Sequence, residues 1–231
     1  KYYRGHNDEF DLIEHNFKDL IINNNRTDGI IDAEKKGYST VILDDGLQDY
    51  KIKKDLKIVC FHQNQLIGNG LVIPSGPLRE TLSALKEVDI VLINGKKNVI
   101  FEQKILKYNK NLEIFYFSYK PIITDDLKNY KLFALAAIGN PENFFKLLKE
   151  NNLRVEKEVI FPDHYEFTKK EMQDICEKAK KENLQVIMTE KDYFKIKKYN
   201  FNEIRYLKIS VEIKEKDKFF NKINRLYEKN T

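Results

Sequence analysis

Two adjacent carboxylates, Asp44 and Asp45, end a short apolar run and precede a glycine and an amide side chain, in the segment Val41–Gln48. A run of Val, Ile and Leu is typical of a buried parallel strand, and open α/β sheets bind ligands at the carboxyl ends of such strands. Because hard cations prefer oxygen ligands, the segment predicts a Mg²⁺ site beside a nucleotide phosphate. A polar turn before a helix is the alternative, since Asp-Gly is a common turn signal.

Three further polar clusters interrupt the apolar pattern where a strand should end or a loop should pass: Asp8-Glu9, Gly68–Glu80 and Phe161–Tyr165. Each also has a structural interpretation. Asp8-Glu9 fits the acidic first turn of a helix, which the helix dipole favours. Arg79 fits a surface salt bridge with its neighbour Glu80, and His164 fits a capped turn. Taken singly, the clusters leave both interpretations open.

The elements that would position these clusters alternate between strand-like and helix-like patterns. Short Val- and Ile-rich runs predict these strands: Asp19–Ile22, Thr40–Leu43, Lys57–Phe61, Ile90–Ile93, Leu132–Ile138, Val155–Phe161 and Gln185–Met188. Apolar residues at helical spacing predict helices that include Asp28–Lys36, Glu142–Asn151 and Lys169–Glu182. This alternation predicts an α/β fold, with a parallel sheet flanked by helices.

The periodic pattern breaks around Phe117–Lys131, where Pro121 and a Thr-Asp-Asp run intervene. The break predicts a linker at residues 118–131. It would separate a larger lobe, residues 1–117, from a second, smaller α/β lobe at residues 132–231.

The composition is that of a globular protein: of 231 residues, 42% are hydrophobic and 33% are charged. A formal charge of +5 suits an anionic partner, but lysines and glutamates alternate along the predicted helices, which argues against a nucleic-acid-binding stripe. The distant Cys60 and Cys176 indicate a reducing compartment, with no disulfide framework or zinc site. No apolar stretch reaches the roughly 18 residues of a membrane span.

In their order and spacing, the clusters resemble the tetraacyldisaccharide 4'-kinase family of lipid A biosynthesis. The resemblance extends over most of the chain and weakens after about Lys198. It rests on Asp8-Glu9, Arg26, Val41–Gln48, Ile67–Glu80, Val88–Gly95, Ala137–Pro141 with Phe144-Phe145, Phe161–His164 and Thr189–Asp192. The most specific part is Asn69–Glu80, because no generic nucleotide-binding fold requires it. The fold that the resemblance implies is a P-loop-NTPase-like parallel sheet flanked by helices.

The resemblance implies transfer of the ATP γ-phosphoryl group to the 4'-hydroxyl of a tetraacyldisaccharide 1-phosphate. Such a reaction needs charge neutralisation on the phosphates and an oriented, deprotonated hydroxyl. ATP and Mg²⁺ would be the cofactors. The expected partners are the lipid A disaccharide 1-phosphate and the cytoplasmic face of the bacterial inner membrane. We expect a monomer that binds no nucleic acid.

The same resemblance assigns the metal ligands to Glu9, Asp44 and Gln48, with Asp45 beside them. The general base falls on Asp8, oriented and tuned by the histidine that matches His164. An aspartate paired with a histidine can share a proton as a unit, and this pair would join the two lobes.

The positions associated with the anionic lipid are Arg26, Asn69 and Arg79, and a planar guanidinium suits an anion. Lys191 and Asp192 allow two interpretations, a role near the nucleotide or a structural cap.

The chain departs from the family pattern in three places. The family is built on a P-loop, yet no G-x-x-x-x-G-K-[ST] motif occurs in the chain. Since Asp8-Glu9 lies downstream of that motif in the family, we expect an amino-terminally incomplete kinase that is inactive, or nearly so, as this chain. Asn7 replaces a usual glycine, and Asp49 replaces a common histidine and adds negative charge near the metal position.

Two other functions remain as alternatives. One is a related P-loop-type kinase that acts on another phosphorylated amphiphile. The other is a non-catalytic basic domain that binds nucleic acid or an anionic membrane.

Overall fold

The computed structural model describes the backbone of residues 8–230 and the side chains of residues 12–225. The chain forms two compact units, and each unit is assembled from two separate segments. The His164 unit comprises the residues up to Ile22 together with Pro121–Ser210, and the Asp44 unit comprises Asn23–Lys120 with the residues from Val211 onward.

The His164 unit alternates strands and helices. In chain order its elements are α1 (Asp8–Asn16), β4 (Lys131–Ala136), α4 (Pro141–Glu150), β5 (Arg154–Ile160), α5 (Lys169–Lys181), β6 (Gln185–Thr189), α6 (Glu190–Ile196) and the first part of β7 (Arg205–Ile213). The strands lie in the order β5-β4-β6-β7, and all pairs are parallel. Parallel strands place their carboxyl ends at one edge, which brings the loops after β4, β5 and β6 together.

Local sequence explains where the helices of this unit begin. The Asn140 side chain accepts the Asn143 N–H at 3.2 Å, and Pro141 occupies the first helical turn of α4. A capping box opens α5, since Thr168 and Glu171 each accept the other's backbone N–H. The central strand β4 is buried from Leu132 to Ala136, so helices cover both of its faces.

The first three strands of the chain lie in the Asp44 unit and are also parallel. The elements of this unit are α2 (Arg26–Lys35), β1 (Ile58–His62), β2 (Ile90–Asn94), α3 (Val99–Leu106), β3 (Glu113–Ile122, up to Lys120) and α7 (Lys216–Asn230). The strand order is β1-β2-β3, with parallel pairing throughout. Ile90, Val91 and Ile93 of the central strand are fully buried.

These observations confirm the predicted α/β class, with parallel sheets flanked by helices. The predicted strands at Lys57–Phe61, Ile90–Ile93, Leu132–Ile138, Val155–Phe161 and Gln185–Met188 correspond to β1, β2, β4, β5 and β6. The three predicted helices correspond to α2, α4 and α5, and their ends agree with the prediction to within two residues.

Two of the predicted strands are wrong. Asp19–Ile22 and Thr40–Leu43 have no strand conformation. Apolar character alone does not make a strand, because its backbone groups need a neighbouring strand as partner, and no described strand pairs with either run. The Ile42 side chain is accordingly 93% exposed.

The observed division of the chain differs from the predicted lobes at three places. Helix α1 belongs with the carboxyl-terminal half, where the His15 ring lies 4.8 Å from the Phe194 ring of α6. Strand β3 continues to Ile122, into the predicted linker. Helix α7 returns to the Asp44 unit, where Phe219 packs edge-on against Phe115 of β3.

Candidate functional site

The acidic segment forms a turn in the Asp44 unit. Asp45 has a φ of 51°, a left-handed conformation that costs a non-glycine residue about 1–2 kcal/mol. Gly46 is buried beneath the turn, and a β-carbon there would lie 2.5 Å from the Leu43 β-carbon. The Asp44 and Asp45 residues are exposed.

Two arginines converge on this turn. Arg79 donates to the Asp45 carboxylate at 3.0 Å, instead of pairing with the adjacent Glu80. Arg26 donates to the backbone carbonyls of Asp44 and Asp45, both at 3.3 Å, and its guanidinium lies 3.9 Å from the Asp49 carboxylate. The fold thus brings together four predicted site residues from three separate segments of the sequence.

Asn69 shapes the loop that leads to Arg79. Its amide donates to the Ser75 carbonyl at 2.8 Å, and its carbonyl accepts the Leu71 N–H at 3.1 Å. Gly76 fits against this arrangement because a β-carbon there would collide with the Asn69 side chain and the Leu71 carbonyl. The polar atoms of Asn69 therefore bind within its own loop.

The donor set of the turn suits a hard cation, since two exposed carboxylates and the half-buried amide of Gln48 supply only oxygen ligands. Among the side chains of residues 12–225, no group of three or more His, Cys, Asp or Glu forms a complete metal cluster. The third predicted carboxylate ligand, Glu9, has a side chain outside the described residues.

Asp163 and His164 lie after β5, at the carboxyl edge of the sheet in the His164 unit. Asp163 accepts the His164 N–H at 3.0 Å, and its other oxygen lies 3.9 Å from the imidazole Nε2. His164 has a φ of 58°, an uncommon conformation that here turns the chain at an exposed position. The predicted capped turn is confirmed, and the His164 side chain in it is 60% exposed.

Helix α1 begins at Asp8, so the acidic pair occupies its first turn. The side chains of Asp8 and Glu9 lie outside the described residues. Asp8 and His164 belong to one unit, which corrects the expectation that this pair joins two lobes.

A family model described as tetraacyldisaccharide-1-P 4'-kinase matches residues 5–228. The chain belongs to the tetraacyldisaccharide 4'-kinase family. The tetraacyldisaccharide 4'-kinase of Pelagibacter ubique (strain HTCC1062) is 39% identical over the whole chain, which covers 74% of that relative. The enzyme of Haemophilus influenzae (strain 86-028NP) is 34% identical over 80% of the chain and 56% of the relative.

A solved structure of similar fold is LpxK from Aquifex aeolicus, crystallised in complex with ATP. It matches with a TM-score of 0.63 and 24% identity, over 86% of this chain and 61% of that one. This likeness supports the P-loop-kinase-like fold. Like the Haemophilus comparison, it shows that the chain spans little more than half of several relatives.

No described helix of this kinase-family chain combines the length and the apolar character needed to cross a bilayer.

One pair of residues near the candidate site was only partly foreseen. Asp192 is buried in the first turn of α6, where its N–H donates to the side chain of the N-cap residue Thr189, and its carboxylate lies 2.8 Å from the Lys195 ammonium. Lys195 was missed. The signal was the i,i+3 spacing of an acid and a base at the start of a helix that follows a buried strand.

Proposed function

We propose that the protein containing this chain is an ATP-dependent kinase of lipid A biosynthesis, which phosphorylates the 4'-hydroxyl of a tetraacyldisaccharide 1-phosphate. The observation that carries the proposal is 39% identity, over the whole chain, to a relative named for that activity. The convergence of Arg26 and Arg79 on the Asp44-Asp45 turn supports it, because phosphoryl transfer brings anions and a cation to one place.

In the proposed reaction, Asp8 accepts the proton of the 4'-hydroxyl while the hydroxyl oxygen bonds to the γ-phosphorus. The bond from that phosphorus to the bridging oxygen of ADP breaks, and ADP leaves. His164 orients Asp8 and shares its proton, and the short turn with Asp163 sets the direction of the imidazole.

Glu9, Asp44 and Gln48 would hold Mg²⁺, with Asp45 beside them. The ion, when bound, would neutralise charge on the β- and γ-phosphates. Arg26 and Arg79 would bind the anionic disaccharide, whose 1-phosphate suits a planar donor fork. Asn69 would contribute by holding the loop that carries Arg79.

The first experiment assays the product of the complete gene with ATP labelled on the γ-phosphate and a tetraacyldisaccharide 1-phosphate. We expect label in the lipid, and we expect Asp8→Ala to lower kcat by at least ~100-fold, the usual contribution of a general base. Glu14→Ala, on the exposed part of the same helix, is the matched control and should keep wild-type turnover. Wild-type turnover in Asp8→Ala would remove Asp8 from the base role.

A second experiment examines the acceptor. Replacing Arg79 with Ala should weaken lipid binding and leave nucleotide binding intact, because the arginine is assigned to the anionic lipid. Equal loss of both would indicate a structural role instead. Label transfer to a different phosphorylated amphiphile, with none to the disaccharide, would replace the proposed substrate with that alternative.

We further propose that the reaction takes place at the cytoplasmic face of the inner membrane, where a monomer would meet its lipid substrate. Co-sedimentation of the complete protein with anionic vesicles should detect this attachment. Full recovery of the protein in the supernatant at low salt would contradict it.

A further inference from the structure

Asp192 and Lys195 form a buried ion pair in the His164 unit. The Asp192 side chain is fully buried, the Lys195 side chain is 8% exposed, and Nζ lies 2.8 Å from Oδ1. The other carboxylate oxygen accepts the Thr189 hydroxyl at 2.8 Å. Burial of two charges is unfavourable unless each is paired and hydrogen-bonded, so the extra partners matter as much as the pair itself.

Both members of the pair also bind the backbone of one residue, Ala137. Asp192 Oδ2 accepts the Ala137 N–H at 2.9 Å, and the Lys195 ammonium donates to the Ala137 carbonyl at 3.2 Å. Ala137 comes directly after β4, where ladder hydrogen bonds end and buried backbone groups need other partners. The ion pair therefore fixes the chain at the point where it leaves the sheet.

This fixed point is linked to His164 by two short connections. Phe161 N–H donates to the carbonyl of Ala136, which ties the start of the His164 turn to the end of β4. Beyond Ala137, a β-carbon on Gly139 would lie 3.2 Å from the Asp163 carboxylate, so the glycine permits close approach of that side chain. Asp163 in turn accepts the N–H of His164.

We propose that the buried Asp192–Lys195 pair is a positioning element, which holds the Asp163–His164 turn through the backbone of residues 136–139. The inference rests on the proposed function only for the catalytic role of His164. Neither Asp192 nor Lys195 is assigned a contact with substrate. The two side chains hold the backbone of Ala137 by hydrogen bonds, and the loop that follows Ala137 packs against Asp163 of the turn.

The test compares two near-isosteric variants of the ion pair with a control variant in which a buried leucine of the same unit is replaced. Asp192→Asn and Lys195→Met each remove one charge and retain most of the side-chain volume. Leu153→Ala is the control, because Leu153 is buried at the opposite edge of the sheet, directly before β5. Thermal unfolding by circular dichroism selects conditions in which all three proteins are folded.

The first readout is the amide spectrum of the 231-residue chain, which needs no kinase activity. We expect both charge variants to shift the amide resonances of Asp163 and His164 well beyond the shifts in Leu153→Ala. Shifts no larger than those of the control would overturn the proposal. If a charge variant does not fold, Thr189→Val, which removes only a hydroxyl bound to Asp192, should give the same pattern with smaller amplitude.

The second readout is turnover by the product of the complete gene. Misplacing a catalytic group lowers kcat by about 10- to 100-fold, so we expect that loss in both charge variants, with the KM for ATP unchanged and no such loss in the control. Shifted amides with wild-type kcat would also overturn the proposal. A wild-type protein without kinase activity would instead refute the proposed function, and the amide spectra would still decide whether the pair holds the turn.

Discussion

The Arg79 guanidinium lies 3.0 Å from the Asp45 carboxylate, although 34 positions of sequence separate the two residues. The pair joins the Gly- and Pro-containing loop to the acidic turn. It also joins two predicted roles, because the family resemblance assigns Arg79 to the anionic lipid and Asp45 to the surroundings of the metal. If Asp45 takes part in the proposed metal site, a bound cation would compete with Arg79 for the same carboxylate.

Removing Arg79 should strengthen cation binding by the chain. In Arg79→Ala the Asp45 carboxylate loses its fixed positive neighbour, so we expect tighter Mg²⁺ binding in calorimetric titrations. Arg205→Ala is the control, since Arg205 makes a similar exposed ion pair with Asp126 in the other unit. Equal affinities in the wild type and Arg79→Ala would show that Asp45 takes no part in cation binding.

The same pair should contribute little to stability. Its side chains are 57% and 67% exposed, and exposed ion pairs contribute about 0–1 kcal/mol. A double-mutant cycle with Arg79→Ala and Asp45→Ala, followed by urea unfolding, should give a coupling free energy within that range. A larger value would indicate that the pair organises the loop.

Glu171 should make stability dependent on pH in the acid range. Hydrogen bonds from the Thr168 hydroxyl, the Tyr165 hydroxyl and the Thr168 N–H lower the pKa of Glu171 from 4.5 to about 2. The pKa of Glu171 is lower in the folded than in the unfolded protein, so the ionised carboxylate stabilises the fold. This stabilisation is complete at pH values above the unfolded pKa of 4.5 and is lost as the pH falls from about 4.5 through about 2.

Glu171→Gln should therefore be less stable than the wild type at neutral pH, with a smaller decrease in stability between these two pH values. Urea unfolding at several pH values measures the difference. Glu177→Gln, on the same helix, is the control and should follow the wild-type profile. Parallel profiles for wild type and Glu171→Gln would contradict the assignment.

Gly76→Ala should destabilise the loop before Arg79. The new methyl group meets the Leu71 carbonyl as well as the Asn69 side chain, and overpacking of this kind costs about 1–3 kcal/mol. Since one obstacle is backbone, the additional change Asn69→Ala should not restore stability. Recovery of wild-type stability in the double variant would show that only the Asn69 side chain stands in the way.

Cys176 should react slowly with thiol reagents. Burial, with a smaller contribution from Glu203, raises the pKa of the thiol to about 11, so little thiolate exists at neutral pH. In a Cys60→Ser protein, alkylation by an uncharged reagent should accelerate about tenfold for each pH unit from 8 to 10. A plateau near pH 9 would indicate an ordinary, accessible thiol.

The local sequence pattern was enough to predict the strands that are buried on both faces. Ile90–Ile93 and Leu132–Ala136 read as strands because they are buried on both faces, so each side chain is apolar. Strand β7 was missed because its side chains are mostly exposed and no apolar run marks it. Strand β3 was also missed, because its second half lies where Pro121 and the Thr-Asp-Asp run interrupt the periodic pattern.

The candidate site was harder to predict, because its geometry depends on contacts between distant segments. Sequence spacing placed the Asp44-Asp45 turn and the Arg79 loop correctly as polar interruptions, but it gave no sign that they meet. The contacts of Ala137 with Asp192 and Lys195 could not be predicted for another reason. They involve the backbone N–H and carbonyl of Ala137, which are the same in almost every residue type.

The interleaving of the two units has a consequence for truncated gene products. Each unit combines two separate segments, since helix α1 joins Pro121–Ser210 in the His164 unit and helix α7 joins Asn23–Lys120 in the Asp44 unit. A premature stop codon after Ser210 would therefore remove α7 and the end of β7 from the Asp44 unit, although the acidic turn, the Arg79 loop and strands β1 to β3 would still be translated. Damage at the carboxyl terminus should therefore destabilise the unit that carries the Asp44-Asp45 turn.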